Sequence, residues 1–206
     1  LWEGEEFTLQ IDSHMRFEPG WDDLLISMWQ ACGRDKAVLT CYPPGFTPPG
    51  DCQRGWIFGM GAKEFDKDGI FTMQGKPAFE TGKAPATPIP GAFASACMLF
   101  GPSSMIKDVP YDPHLYFFGE EITLAVRLWT SGYDIFHPNK LVIFHDWDRG
   151  KRPTHFSDHR DWGRLNDIAY TRVRHLLGTE KTSDPEALKQ IGMYGLGKAR
   201  SLDQYQ

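Results

Sequence analysis

The feature that most constrains this chain is the stretch of residues 7–17, which begins as a strand and continues into two side chains able to bind a metal. Apolar and polar residues alternate over residues 7–11, and the apolar ones favour strands. Asp12 and His14 follow, and two positions apart on an extended backbone they point to the same side. Taken alone, an Asp-x-His tripeptide is more often a turn cap beside an exposed histidine. The rest of the chain decides between these interpretations.

A second apolar stretch, residues 141–148, carries His145 towards its C-terminal end. Ligands of open α/β sheets collect outside the carboxyl ends of strands. If the two stretches are neighbouring strands, Asp12, His14 and His145 converge. A carboxylate and two neutral imidazoles suit Mn²⁺, Zn²⁺ or Fe²⁺, and three ligands with vacant positions are typical of catalytic sites. The alternative for His145 alone is a capped or core histidine.

Two adjacent carboxylates, Glu120 and Glu121, begin a segment whose apolar residues recur at helical spacing. Gly119 precedes the helix and Gly132 is expected at its C-terminal end. The helix dipole alone favours carboxylates in the first turn, by about 0.3–1 kcal/mol each. The functional interpretation is that one of the pair faces a cleft and accepts hydrogen bonds from hydroxyl groups.

A polar, locally basic segment follows the strand that carries His145. Arg149, Lys151 and Arg152 are candidates for binding phosphate oxygens beside a metal. The alternative is a solvated loop without a ligand.

The remaining pattern predicts an α/β protein. Helices are expected over residues 21–30 and 161–177, and strands over residues 37–42 and 90–101. The order strand, helix, strand at the start is a βαβ rhythm. Gly178 is expected to end the last helix.

Residues 43–91 are rich in proline and glycine and contain two short apolar runs, 56–60 and 69–73. We expect two short strands inside an insertion beside a binding cleft, since long loops are usually functional or disordered. The alternative is that residues 43–91 form a variable surface loop without a functional role. Residues 179–206 are expected to form a peripheral helix or a loosely held tail.

Composition limits the class of partner. The net charge of −5 and the lack of a basic stripe argue against nucleic acid. No apolar run approaches the ~20 residues of a membrane span. The four cysteines have no CxxC spacing, which argues against a zinc ribbon and is compatible with reduced thiols in a cytoplasmic protein.

Three blocks stand in a fixed order: Gln10-Ile11-Asp12-Ser13-His14, Gly119-Glu120-Glu121 with residues 127–134, and Ile143-Phe144-His145. The set resembles the catalytic half of GT-A glycosyltransferases with an Asp-x-His metal motif. It is most similar to the family of protein hydroxyproline α-N-acetylglucosaminyltransferases, whose donor is UDP-GlcNAc and whose cytosolic members modify a ubiquitin-ligase adaptor protein. Residues 109–121 and 172–178 are also similar to that family. Polypeptide N-acetylgalactosaminyltransferases are similar more distantly.

The resemblance implies a GT-A fold, an α/β mixed sheet flanked by helices. Residues 1–178 would be the catalytic half, with residues 43–91 as the acceptor-loop region, and residues 179–206 the C-terminal tail. GT-A folds place nucleotide-binding strands before the Asp-x-His strand, and almost nothing precedes Asp12. We therefore expect part of the N-terminal nucleotide-binding half to be missing.

The resemblance also implies a chemistry. Asp12, His14 and His145 would bind Mn²⁺ between the phosphates of a UDP-sugar, and Glu120 or Glu121 would contact sugar or acceptor hydroxyls. The expected activity is metal-dependent, retaining transfer of GlcNAc or a related sugar to a hydroxyl on a protein or glycan. Alternatives are a GT-A enzyme of surface-glycan synthesis, a non-catalytic module that binds sugar nucleotides, and a hydrolytic metalloenzyme.

Overall fold

The computed structural model describes residues 3–148, 150 and 155–205. The strands are β1 (Phe7–Ile11), β2 (Met15–Phe17), β3 (Ala37–Thr40), β4 (Trp56–Phe65), β5 (Phe71–Glu80), β6 (Ile89–Pro90), β7 (Met98–Pro102), β8 (Asp134–His137) and β9 (Ile143–His145). The helices are α1 (Trp21–Ala31), α2 (Ser104–Asp108), α3 (Glu120–Thr130), α4 (His155–Asp158), α5 (Trp162–Leu177) and α6 (Ile191–Tyr194).

A mixed five-stranded sheet in the order β1-β7-β3-β8-β6 lies at the centre. β7 pairs antiparallel with both β1 and β3, and β3 pairs parallel with β8. β1 and β3 therefore run in the same direction, with α1 as the connection between them. The predicted βαβ rhythm is confirmed, although β7 separates its two strands.

The sheet is covered on both faces. β3 is buried along its whole length, and its side chains alternate between the faces. Val38 packs with α3 on one face, and Leu39 packs with α1 and β9 on the other. Because full burial of an aliphatic side chain contributes about 1.5–3 kcal/mol, these two clusters fix the helices and β9 against the sheet.

Helix α3 differs from the single inward face that its periodicity predicts, since it is buried around nearly its whole circumference. The sheet covers the side that carries Leu124, and α5 covers the side that carries Ile122. Gly119 precedes the helix with a φ of 87°, and a Cβ there would lie 2.4 Å from a methyl carbon of Val173. Only glycine permits this close approach of α3 to α5. Gly132 and Gly178, with φ of 88° and 75°, follow α3 and α5 as predicted.

The strand predicted before Asp12 is confirmed as β1, and residues 15–17 form a second strand, β2, in another sheet. Two other strand predictions had the wrong bounds. The stretch 141–148 is a strand only over β9, and the stretch 90–101 is a strand only at its ends, in β6 and β7. The backbone N–H groups just before Met98 donate to side chains instead of a neighbouring strand. Ser95 N–H donates to Thr40 Oγ1 at 2.8 Å, and Ala96 N–H donates to Glu121 Oε1 at 2.9 Å.

Residues 43–91 contain a long hairpin, where the sequence predicted two short strands. β4 and β5 have ten residues each and pair antiparallel with irregular register at two points. Glycines within the strands obscured their length, because glycine has low strand propensity. They also permit close packing: a Cβ on Gly75 would lie 3.3 Å from Tyr42 Cβ, and one on Gly59 would lie 3.1 Å from the His137 ring.

The segment after α5 is held against the body of the protein and is not loose. Arg200 Nη2 lies 2.8 Å from Asp134 Oδ1, and Ala199 N–H donates to Thr130 O at 2.8 Å. Ala187 is fully buried. This segment therefore covers the C-terminal end of α3.

Two further observations concern the whole of the described chain. None of its helices combines the length and apolar character needed to cross a lipid bilayer. Cys32, Cys41, Cys52 and Cys97 are all free thiols.

His137 links the hairpin to the central sheet and should make stability depend on pH. Its Nδ1–H donates to Thr40 O at 3.0 Å, and its Nε2 accepts from Met60 N–H at 3.4 Å. Because Met60 N–H is a donor, the imidazole must be neutral, and burial lowers the pKa of His137. The unfolded chain takes up a proton near pH 6.5, but the folded protein does so only at lower pH. The free energy of unfolding should therefore fall as the pH falls below about 6.5, by up to about 1.4 kcal/mol per pH unit.

Urea unfolding between pH 8 and 5 measures this effect. Comparison with His137→Gln removes the contribution of other groups, and the difference in free energy between wild type and variant should shrink as the pH falls. A difference that stays constant with pH would contradict a neutral, buried His137.

Candidate functional site

The site begins with two residues that are far apart in sequence, Asp12 and His145. β2 and β9 pair antiparallel with Met15 opposite His145. The start of β2 therefore lies beside the end of β9, and His145 Nε2 lies 2.9 Å from Asp12 Oδ2. The predicted meeting of these two side chains is found.

The reason for the meeting differs from the predicted one. Asp12 and His14 lie in the irregular link between β1 and β2, so strand alternation does not set their direction. β2 and β9 pair antiparallel, so the site does not lie where the carboxyl ends of parallel strands meet. His14 Nε2 lies 3.7 Å from Asp12 Oδ2, and the rings of His14 and His145 are 4.3 Å apart.

Cys97 is a member of this cluster that sequence reasoning missed. Ligand atoms of Asp12, Cys97 and His145 all lie within 4.8 Å of one another. β1 and β7 pair Ile11 with Met98, so the next residue on each strand places Asp12 beside Cys97. The apolar run 97–100 hid this cysteine, since in sequence it is indistinguishable from a core residue.

The cluster has a buried side and an open side. His145 is 3% exposed, whereas the Asp12 side chain is 38% exposed. The hydrogen bond from His145 lowers the pKa of Asp12, so this carboxylate is ionised at neutral pH. The ring of Trp147 lies against the His145 ring, with centroids 3.8 Å apart and planes tilted by 34°, and its Nε1–H donates to Pro43 O, which holds the imidazole in place.

The donor set fits a divalent cation of the first transition series. Asp12 Oδ2 lies 2.9 Å from His145 Nε2 and 3.7 Å from His14 Nε2, and a carboxylate with imidazoles suits Mn²⁺ or Zn²⁺. Among the described residues, the compact group of potential ligands contains Asp12, Cys97 and His145 but not His14, so the predicted convergence is found only in part. His145 Nδ1 is buried and has no hydrogen-bond partner among the described residues. The ring is therefore oriented by its Nε2 contact and by Trp147.

The two carboxylates at the start of α3 have different surroundings. Glu121 accepts hydrogen bonds from the Tyr42 hydroxyl and from Ala96 N–H. No described residue donates a hydrogen bond to the side chain of Glu120, and burial raises its pKa to about 7, with Glu121 and Asp12 adding to the shift. Burial also raises the pKa of Glu121, and the charge of Asp12 contributes. Both carboxylates thus lie within electrostatic reach of the Asp12 cluster.

Replacing Tyr42 with phenylalanine should destabilise the protein by about 1.5–3 kcal/mol, because it removes a hydrogen bond to a partly buried carboxylate, that of Glu121. Tyr205→Phe is the matched control, since Tyr205 donates to a neutral acceptor, Ala92 O, and should lose only about 0.5–1.5 kcal/mol. Urea unfolding measures both. If both variants lose the same free energy of unfolding, the acceptor of the Tyr42 hydrogen bond is not an ionised carboxylate.

The remaining predicted site residues, Arg149, Lys151 and Arg152, lie outside the described residues. Phosphate binding by this basic segment stays a prediction.

Comparison with known proteins places the chain in a family. The fold is similar to the crystal structure of GalNAc-T7 with UDP, GalNAc and Mn²⁺, with a TM-score of 0.58 and 12% sequence identity. The similarity covers 97% of this chain and 38% of that one, and it confirms the predicted GT-A class of fold. No curated protein matches the sequence significantly. The family described as Glycosyltransferase (GlcNAc) matches residues 1–206, and the chain therefore belongs to that family.

Proposed function

We propose that this protein is a metal-dependent, retaining glycosyltransferase that moves GlcNAc or a related sugar from a UDP-sugar to a hydroxyl group on a protein. The observation that carries the proposal is the contact of Asp12 with His145 at 2.9 Å, beside His14, in a chain of this family. Asp12 and His145 are 133 positions apart in sequence, and the fold brings them together at the partly exposed Asp12 carboxylate.

Asp12, His14 and His145 would hold the cation, with Mn²⁺ as the expected ion. When bound, it would stabilise the negative charge on a diphosphate leaving group as a Lewis acid. Arg149, Lys151 and Arg152 would contact the phosphate oxygens, where an arginine can donate two parallel hydrogen bonds.

The carboxylates would divide their roles. Glu121 is engaged by Tyr42 and Ala96, so it would position the backbone of residues 95–97 beside the metal ligands. The Glu120 carboxylate has no hydrogen-bond donor among the described residues, so it would accept a hydrogen bond from a sugar or acceptor hydroxyl. A nearby carboxylate also favours the positive charge that develops on the sugar as its glycosidic bond breaks.

The hairpin of β4 and β5 is the proposed acceptor-side element of residues 43–91. It packs on Tyr42, which contacts Glu121, so the hairpin adjoins the site. We further propose that the protein acts in the cytoplasm, which its four free thiols support.

The test is transfer from radiolabelled UDP-sugars by the full-length protein. Hydroxyproline, serine and threonine peptides would be compared with saccharide acceptors, with Mn²⁺ or with a chelator. We expect Mn²⁺-dependent transfer of GlcNAc to peptide and an α-linked product by NMR. Transfer to saccharides alone would favour surface-glycan synthesis, and no UDP release from any UDP-sugar would contradict the proposal.

A further inference from the structure

The Cys97 thiol has no role in the proposed transfer, yet it lies inside the candidate metal site. Its sulfur belongs to the group of three ligand atoms that lie within 4.8 Å of one another. Cys97 is 7% exposed, so the thiol and His145 line the buried side of the site and Asp12 lines the open side. A cation bound by Asp12 and His145 would therefore lie beside this sulfur.

Backbone pairing, and not a single side-chain rotamer, places Cys97 there. The ladder of β1 and β7 ends with Ile11 opposite Met98, and the next residues are Asp12 and Cys97. Opposed residues in antiparallel strands have Cβ atoms about 4.5–5.5 Å apart. Cys97 N–H also donates to Ser95 Oγ at 3.0 Å, which fixes the backbone at this position.

We propose that Cys97 is an additional ligand for soft divalent cations, so that the site binds Zn²⁺, Cd²⁺ or Co²⁺ through sulfur and binds Mn²⁺ without it. This inference rests on the proposed function, which places a cation between Asp12 and His145. Thiolate sulfur selects soft cations, whereas Mn²⁺ prefers oxygen and nitrogen ligands. On binding a soft cation the thiol loses its proton to solvent and the metal–sulfur bond forms.

Sulfur would complete the ligand set of a soft cation. With sulfur bound, Asp12, Cys97 and His145 would supply three ligands from one compact group, and His14, 3.7 Å from Asp12, would supply the fourth. Four protein ligands around Zn²⁺ form the closed set typical of structural sites, which leaves no position for substrate. Zn²⁺ should therefore compete with Mn²⁺ and inhibit.

Absorption spectroscopy of the Co²⁺-loaded protein tests the inference directly. Wild type should show a thiolate-to-cobalt charge-transfer band in the near ultraviolet, and Cys97→Ser and Cys97→Ala should lack it. Cys32→Ser is the matched control, because the Cys32 thiol donates to Met28 O on α1 and is outside the cluster. A wild-type protein that binds Co²⁺ without this band overturns the inference, whatever the stability of the variants.

Calorimetric titration separates this inference from the proposed function. Cys97→Ser should weaken Zn²⁺ binding by at least about tenfold, since loss of even an outer partner of a metal ligand costs 10–100-fold, while Mn²⁺ affinity stays within twofold. If Cys97→Ser loses affinity for Mn²⁺ and Zn²⁺ equally, the selective role of sulfur is overturned. If wild type binds neither Mn²⁺ nor Zn²⁺, the proposed function fails as well; if Mn²⁺ binds normally and only the sulfur contact is absent, the proposed function stands.

Discussion

Asp12→Ala and His145→Ala should each lower sugar-transfer turnover at saturating Mn²⁺ by about a thousandfold. The two side chains contact each other at 2.9 Å and supply two of the three proposed cation ligands. A Lewis-acid cation contributes several kcal/mol to the stabilisation of transition-state charge. Losing about 4 kcal/mol of it corresponds to about a thousandfold in rate. Steady-state release of UDP from the donor measures the effect.

The control for Asp12→Ala is Asp22→Ala, which removes an exposed carboxylate from the first turn of α1. It should leave turnover within twofold of wild type. Circular dichroism and a melting curve establish that the Asp12 and His145 variants remain folded. Turnover within twofold of wild type in both ligand variants would show that they are not metal ligands.

Asp112→Ala should destabilise the protein by about 3–5 kcal/mol, the usual cost of leaving one charge of a buried ion pair without its partner. Arg172 Nε lies 2.6 Å from Asp112 Oδ2, and both side chains are almost completely buried. The Nη1 group of Arg172 donates to Ala187 O at 2.7 Å and to Lys189 O at 2.9 Å. This one guanidinium joins α5, the loop before α3 and the C-terminal segment.

A matched control lies two residues along the same helix. Arg174 Nε also lies 2.6 Å from a carboxylate, that of Glu180, but the Glu180 side chain is 54% exposed. Because exposed pairs contribute only about 0–1 kcal/mol, Glu180→Ala should change the free energy of unfolding little. Urea unfolding compares the two variants. Similar losses for both would show that burial of the Arg172 pair does not determine its effect.

The sequence predicted those parts of the fold that depend on local pattern. Helices α1, α3 and α5 follow from apolar spacing, and Gly132 and Gly178 follow from the need for positive φ after a helix. The full burial of α3 was not predicted, because it depends on which elements pack on both sides of the helix.

Parts of the site that depend on strand register were predicted poorly. The meeting of Asp12 with His145 was anticipated at the carboxyl ends of two neighbouring strands, whereas β9 pairs antiparallel with β2, the strand that follows Asp12. Cys97 was missed because only the pairing of Ile11 with Met98 places it beside Asp12. The hydrogen bond of Tyr42 to Glu121 joins residues 79 positions apart, and no local pattern encodes it.

The most direct test of the central claim is a titration with Mn²⁺ in the presence of UDP, followed by electron paramagnetic resonance of the free ion. We predict one bound Mn²⁺ per wild-type chain, with binding lost in Asp12→Ala and in His145→Ala and retained in Asp22→Ala. Unchanged Mn²⁺ binding in the Asp12 and His145 variants would contradict a cation site built from these two residues.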